Sequence, residues 1–358
     1  MEAVYIKNFS PRELEAWVNS LGERPFRARQ LYRHLYARNV SSWEECTDLS
    51  RAFRNQLEHG SILNALELSR VDEAPDGTRK YLFRLSDGNH VESVLIPDEP
   101  RSTLCLSSQV GCALGCRFCL TGSLGFKRNL DTAEIVDQVC QVQRDAGTYL
   151  HVNSLVFMGM GEPLANYDSV LRAIHIITDQ NGLAFSHRRV TLSTAGIVPR
   201  LRQLGQDSPI NLAISLHAPD DGLRNELMPI NKTYPLAELM RACRDYPLVP
   251  RKRITFEYVL LDGVNDSPNQ ARQLVRVLNG VRAKINLIPF NPHPGSEFRT
   301  PSEDKVLAFQ EVLQKAQLTA IIRKSRGREI GAACGQLAAL AGQARLNNQN
   351  LREGYLDT

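Results

Sequence analysis

The chain has 358 residues, 42% of them hydrophobic, a formal charge of +4 and eight cysteines. That is enough chain for one large domain with a smaller companion, and too few cysteines for a disulfide scaffold. No apolar run approaches the ~20 residues that cross a bilayer. The opening MEAVYIKNFSPREL has neither the basic nor the apolar region of a secretory leader, so a cytoplasmic protein with reduced thiols is expected. The modest positive charge permits a nucleic-acid partner without requiring one, and its clustering is more informative. Arg24, Arg27, Arg29, Arg33 and Arg38 crowd one segment, Arg251, Lys252 and Arg253 a second, and Arg323, Lys324, Arg326 and Arg328 a third. Each alone reads as a solvated face. Three around a chemical centre point toward RNA.

In chain order, the first elements are helices. Ser10, followed by Pro11 and by Glu13 three residues on, is a capping box with proline at the first helical position. Leu14, Trp17, Val18 and Leu21 give that helix its apolar stripe, and Gly22 ends it. A second helix is predicted over 25–38, a third capped by Ser42 and Glu45, and a short fourth over 49–57. From Ala65 the period falls to two. Leu66, Leu68 and Val71, then Tyr81, Phe83 and Leu85, then 90–96 alternate, with turns at Asp76-Gly77 and Asp87-Gly88, so a three-stranded meander is predicted. Residues 1–101 are expected to form an N-terminal accessory domain. Its basic helices could grip RNA phosphates or simply pack against the rest.

The stretch GCALGCRFCLTG, 111–122, follows. Cys112, Cys116 and Cys119 stand in a CxxxCxxC spacing that brings three thiolates together from one loop, with Gly111, Gly115 and Gly122 keeping it tight. A structural zinc would draw a fourth ligand from a second paired motif, and the downstream sequence has none. An iron–sulfur cubane held by three cysteines leaves one iron open to a ligand. With the aromatic Phe118 before the last cysteine, the form resembles the signature of the radical S-adenosylmethionine (SAM) enzymes. That resemblance implies a 4Fe–4S cluster and SAM as cofactors, with Phe118 beside them.

Beyond it, strand-like runs at 154–158, 189–193, 211–215, 254–260, 284–289 and 318–323 alternate with amphipathic helices at 132–144, 167–178, 235–246, 268–278 and 302–315. Strands apolar on both faces and separated by helices imply a parallel sheet with right-handed crossovers. There are too few for a closed eight-fold barrel, so an α/β fold with a partial six-stranded barrel is expected over 102–341. Chemistry in such folds gathers at the C-terminal strand ends. In MGMGEP, Gly161 permits close backbone approach and Glu162 offers a carboxylate for the α-ammonium of SAM; the motif resembles the GGEP-type motif of radical SAM enzymes. Ser193, Ser215, Leu216, His217 and Asn291 recur at successive strand ends, a ring of small groups suited to a nucleoside cofactor. Cys46, Cys140 and Cys243 read as small hydrophobes. The tail, 342–358, is polar and aperiodic and receives no function.

From Glu92 to Leu337 the chain resembles the bacterial adenine-C2 methyltransferases of large-subunit ribosomal RNA, many of which also modify tRNA. CLSSQVGCALGCRFCLTG, FMGMGEPLAN, RRVTLSTAGIVP, INLIPFNP and AACGQLA carry the resemblance. It implies that Cys112, Cys116 and Cys119 hold the cluster, and that Gly161, Glu162, Ser193, Ser215, Leu216, His217 and Asn291 contact SAM, two of which are used per turnover. It further implies Glu92 as proton acceptor, Cys334 as the cysteine that becomes methylated, and Cys105 as its later disulfide partner. A site in the peptidyl-transferase region of 23S RNA, tRNA beside the anticodon, a flavodoxin or ferredoxin as electron donor, and a monomer follow from it too. Two rivals are an adenine-C8 methyltransferase of the antibiotic-resistance type and a zinc-stabilised RNA-binding protein. GEPLAN with its proline, and IPFNPHPG, favour C2.

Overall fold

The computed structural model describes residues 3–98, 101–147 and 151–339. Ten strands make one sheet in which each strand lies beside its neighbour in sequence. They are β1 (Glu67–Glu73), β2 (Arg79–Arg84), β3 (His90–Asp98), β4 (Arg101–Cys105), β5 (Ser154–Phe157), β6 (Val190–Thr194), β7 (Asn211–Ser215), β8 (Ile254–Leu260), β9 (Ala283–Pro289) and β10 (Thr319–Ile322). β1 to β4 pair antiparallel, the expected meander joined to one more strand. From β4 to β10 all pairing is parallel, with helices between successive strands. The parallel run therefore counts seven strands, one beyond the six expected: the six runs after the cysteine loop and the strand before it. β1 and β10 are the two edges, so the barrel stays open.

The strands are apolar on one face only, which corrects the expectation of two apolar faces. Val190, Leu192, Leu212, Ile214, Ile254, Phe256, Ile285 and Leu287 are buried against the helices. The register aligns Ser193 with Ala213, Thr255, Lys284 and Thr319, and Ser215 with Glu257 and Asn286, so the other face lines a polar lumen. The polarity follows from the opening: a lumen too few-stranded to fill with its own side chains must present groups that water or a polar ligand can satisfy.

At the N-terminus, helix Pro11–Ser20 starts at the expected capping box, with Ser10 Oγ accepting from Glu13 N and Glu13 Oε2 from Ser10 N. Helix Pro25–Tyr32 runs on into a wider turn, Arg33–Ala37. The third predicted helix is only the 3-10 turn Trp43–Glu45, although its capping box forms, with Glu45 Oε1 accepting from the N–H groups of Ser41 and Ser42. Helix Arg51–Gly60 closes the bundle. The bundle docks on helix Thr132–Ala146 through a buried ion pair, Lys7 Nζ to Asp137 Oδ1 at 2.5 Å, and Asp137 Oδ2 also accepts from Leu66 N at 3.0 Å. The tail, 342–358, lies outside the described residues.

Candidate active site

The cysteine loop is the tip of a hairpin, Gln109–Gly111 paired antiparallel with Phe126–Asn129. Cys112 N donates to Gly125 O at 3.0 Å. Gly111 is obligatory there: its φ is +75° and a Cβ would sit 1.9 Å from Gly125 O. Cys112, Cys116 and Cys119 are half-buried, and burial pushes all three thiols above their ordinary value, Cys112 to about 11. Cys116 is raised further by the fields of Cys119 and Cys112, so the three sulfurs share one small space. Thiols crowded in this way favour the neutral form unless a positive centre takes them as thiolates. Among the described residues, no three His, Cys, Asp or Glu side chains converge closely enough for a single ion. One thiolate on each of three irons suits this spacing better than three on one tetrahedral zinc.

The loop after β5 is zipped against the chain entering that hairpin. Met160 N donates to Ser107 Oγ at 2.9 Å, Ser108 N to Met160 O at 2.8 Å, and Glu162 N to Gln109 Oε1 at 2.8 Å. Gly161, at φ +95°, has no room for a Cβ, which would meet Gln109 Cβ at 2.5 Å. Glu162 is buried, its Oε1 accepting from Leu164 N at 3.0 Å and its Oε2 from Ala195 N at 2.8 Å. Burial raises its carboxyl pKa against those bonds. Thr194 adds a side-chain hydrogen bond, so of the four lone pairs one is left for a cationic ligand.

Ser193 and Ser215 face the lumen at the ends of β6 and β7. His217 has a left-handed backbone, φ +58°, uncommon for a residue with a side chain. Its Nδ1 accepts from Val259 N at 3.0 Å, and burial, helped by the charge of Arg224, pushes its pKa down to about 3, so the ring is neutral. Phe118 meets that ring edge-on, centroids 4.6 Å apart, which ties the cysteine loop to the strand ends. Leu216 is wholly buried, with its N–H given to Glu257 O and its C=O to Arg224, so it shapes the wall without offering a free N–H. Asn291 Nδ2 donates to Cys334 O at 3.3 Å, and its Oδ1 accepts from Arg328 at 2.9 Å.

Cys334 lies on the loop after β10, which is strapped over the cysteine hairpin. Leu120 N donates to Gly335 O at 2.8 Å and Thr121 Oγ1 to Leu337 O at 2.6 Å. Cys334 is solvent-exposed yet hemmed in by protein, and that crowding raises its thiol, as expected at the floor of an open mouth. Glu257 and Cys119 raise it further, and Arg323 opposes them. Cys105, buried at the end of β4, has its thiol pushed well above the ordinary value by burial and then by the field of Cys334. Both cysteines are free thiols.

The same strap reaches Glu92. The carboxylate is buried on β3, on the sheet face that also carries Cys105, since Val94 pairs with Cys105. Its Oε1 pairs with Lys80 Nζ at 3.2 Å, and its Oε2 accepts from Ala338 N at 2.9 Å.

Residues 106–275 match the Radical SAM superfamily, and 4–63 match the ribosomal RNA large subunit methyltransferase N-terminal domain. The dual-specificity RNA methyltransferase RlmN of Syntrophobacter fumaroxidans is 69% identical over 95% of this chain and 99% of its own. The RlmN of Syntrophus aciditrophicus is 51% identical over 97% and 99%. The chain belongs to the RlmN family. A crystal structure of a radical SAM methyltransferase from Sphaerobacter thermophilus agrees, with a TM-score of 0.91 and 41% identity over 94% of this chain and all of that one. Like other RlmN-family members, the protein is a SAM-dependent RNA methyltransferase with a radical SAM fold and a 4Fe–4S cluster and SAM as cofactors. Among the described residues, no helix is long and apolar enough to cross a membrane.

Three polar residues at this RlmN-family site went unremarked in the sequence. Lys80 grips Glu92 from the neighbouring strand. Glu257 accepts from Asn286 Nδ2 at 2.9 Å, inside the lumen. Arg224 is wholly buried behind the strand ends. Glu257 had a signal, a lone carboxylate in the otherwise apolar ITFEYVL. Lys80 and Arg224 had none, because their partners are distant in the chain or are backbone carbonyls.

Proposed function

We propose that this RlmN-family enzyme methylates C2 of an adenosine in the peptidyl-transferase region of 23S ribosomal RNA, and of the adenosine beside the anticodon in tRNA, carrying the methyl carbon on Cys334. The setting of Cys334 supports this most: its strap is hydrogen-bonded to the cysteine hairpin, its thiol lies in the field of Cys119, and Cys105 lies in its own. Adenine C2 lies between two ring nitrogens, has no lone pair and carries a hydrogen too weakly acidic to remove directly. An electrophilic methyl therefore needs another first acceptor, and a thiolate is a strong one.

Cys112, Cys116 and Cys119 would hold the cluster, which when bound supplies the single electron that cleaves SAM to a hydrogen-abstracting radical. Glu162 would take the α-ammonium of SAM, with Gly161, Phe118, Ser193, Ser215, Leu216, His217 and Asn291 forming the surrounding wall. Cys334, ionised, takes a methyl on Sγ as a thioether. After that carbon has joined the base, Glu92 accepts the C2 proton at Oε2, which requires Ala338 N–H to let go. The Cys105 thiolate then attacks Cys334 Sγ, forming the S–S bond as the S–C bond breaks; the released carbon leaves with that electron pair and takes a proton to become the methyl, and cellular reductant reopens the disulfide. Residues 1–101 would serve as an RNA-contacting accessory domain on the barrel of 102–341, in a cytoplasmic monomer reduced by flavodoxin or ferredoxin.

Reconstituted enzyme given ribosomal RNA and tRNA separately should yield 2-methyladenosine from both, read by mass spectrometry of nucleoside digests. 8-Methyladenosine, or no methylated adenosine, would overturn the reading.

A further inference from the structure

Arg224, on the short helix Asp221–Leu227, has the largest fully buried side chain of the described residues. Its acceptors are Ala195 O at 2.8 Å, Ser215 O at 3.0 Å, Leu216 O at 3.1 Å and Asn231 Oδ1 at 2.8 Å, all neutral. Asp221 makes no ion pair with it: its Oδ1 accepts from Asn231 Nδ2 and Leu236 N, both at 2.8 Å, so its charge reaches Arg224 only as a field from beyond Asn231. Taking a guanidinium from water without an anion beside it is costly, and such a charge persists where something anionic balances it. Burial lowers the Arg224 pKa only to about 10, which leaves it cationic at neutral pH.

What lies beside it is the cysteine loop. Arg117 N donates to Leu227 O at 3.0 Å. Leu227 and Met228 pack in one apolar cluster with Phe118 and Ala195, and Cys116 and Cys119 lie against it. Arg224 reaches that same cluster directly, since Ala195, whose carbonyl it holds at 2.8 Å, belongs to it. A cubane held by three thiolates is anionic and gains another negative charge on reduction. Its potential follows net charge and surroundings, so a fixed cation in a dry wall stabilises the reduced form more than the oxidised form.

We propose that Arg224 is the buried counter-charge of the iron–sulfur cluster and raises its reduction potential. This rests on the reading that Cys112, Cys116 and Cys119 hold the cluster. It makes Arg224 a positioning residue that acts through the cluster and touches no substrate.

The test is a redox titration of anaerobically reconstituted holoenzyme, followed by the electron paramagnetic resonance of the reduced cluster and by iron content per chain. Arg224→Gln should shift the reduction equilibrium at least tenfold toward the oxidised form, about 59 mV for one electron. Arg224→Lys, which keeps the charge and loses hydrogen bonds, should stay within about threefold of the parent. Arg224→Met, which fills much of the same space without a charge, should shift the same way as Arg224→Gln. A fully loaded Arg224→Gln at unchanged potential overturns the proposal, as does Arg224→Lys falling as far as Arg224→Gln. Should Arg224→Gln fail to assemble, Arg224→Met decides, and an unmoved potential in it is equally fatal. Cys116→Ala separates the underlying reading: a full cluster in that variant would refute the ligand assignment and leave the counter-charge experiment to be judged on its own titration.

Discussion

Cys105 is buried and Cys334 is exposed at the mouth, and the field of one raises the thiol of the other. On the proposed cycle the two meet only at the end, when Cys105 cleaves the sulfur–carbon bond. Cys105→Ala should therefore complete the addition to RNA and stop there. A protein–RNA adduct stable in denaturing gels should accumulate, with free methylated RNA reduced at least about tenfold; undiminished turnover would contradict the assignment. His217 gives a second residue-scale expectation. Its folded pKa, about 3, lies below the unfolded value near 6.5, so the folded state binds fewer protons between them. The contribution to stability is full above about pH 6.5 and shrinks as pH falls toward 3, by up to ~1.4 kcal/mol per unit. His217→Asn keeps an acceptor for Val259 N and a residue tolerant of positive φ. Urea midpoints at pH 7 and pH 5 should differ less for His217→Asn than for the parent.

Among the elements, the hairpin carrying the three cysteines depends most on a single atom's absence. Gly111→Ala would put a Cβ 1.9 Å from Gly125 O at a φ of +75°. The backbone strain alone is about 1–3 kcal/mol, and iron incorporation should fall at least about fivefold, measured as iron per chain after reconstitution. How far elements could be read from sequence depended on whether their signal was local. β5 to β10 each lie within a residue or two of the apolar runs, and the capping boxes at Ser10 and Ser42 both form. The cysteine spacing was visible because all three lie in one loop, whereas the partners of Gly161 and Glu162, Gln109 and Ala195, lie more than thirty residues away and were not. The lumen face was misread because Thr191, Thr255 and Lys284 alternate with buried residues inside runs that look apolar on average. Lys80 and Arg224 could not be found at all, because what gives them meaning is a carboxylate on another strand and carbonyls at two others.

Across the whole molecule, the helical N-terminus is held to the barrel by polar contacts on helix Thr132–Ala146. Besides Lys7 with Asp137, Asn39 Nδ2 donates to Cys140 O at 2.7 Å and Arg144 to Val40 O at 3.2 Å. Lys7→Met strands Asp137 without its cation, although Leu66 N and Gln141 still donate to it. Breaking a buried pair from one side costs about 3–5 kcal/mol. Amide exchange over Pro11–Ser20 and Arg51–Gly60 should rise by two or more orders of magnitude while β6 to β9 keep their protection; uniform change across both would mean that the pair does not govern docking.

The sheet is laid down in the order of the chain, each strand beside the one before it. A ribosome releasing this polypeptide would thus expose a growing edge that always wants the next strand to emerge, with no gap waiting for a distant segment. The strap bearing Cys334 comes after the last of them, so the cysteine loop is framed while its cover is still unmade. Nascent protein would pass through an interval in which the three cysteines stand open on the side that the strap later closes.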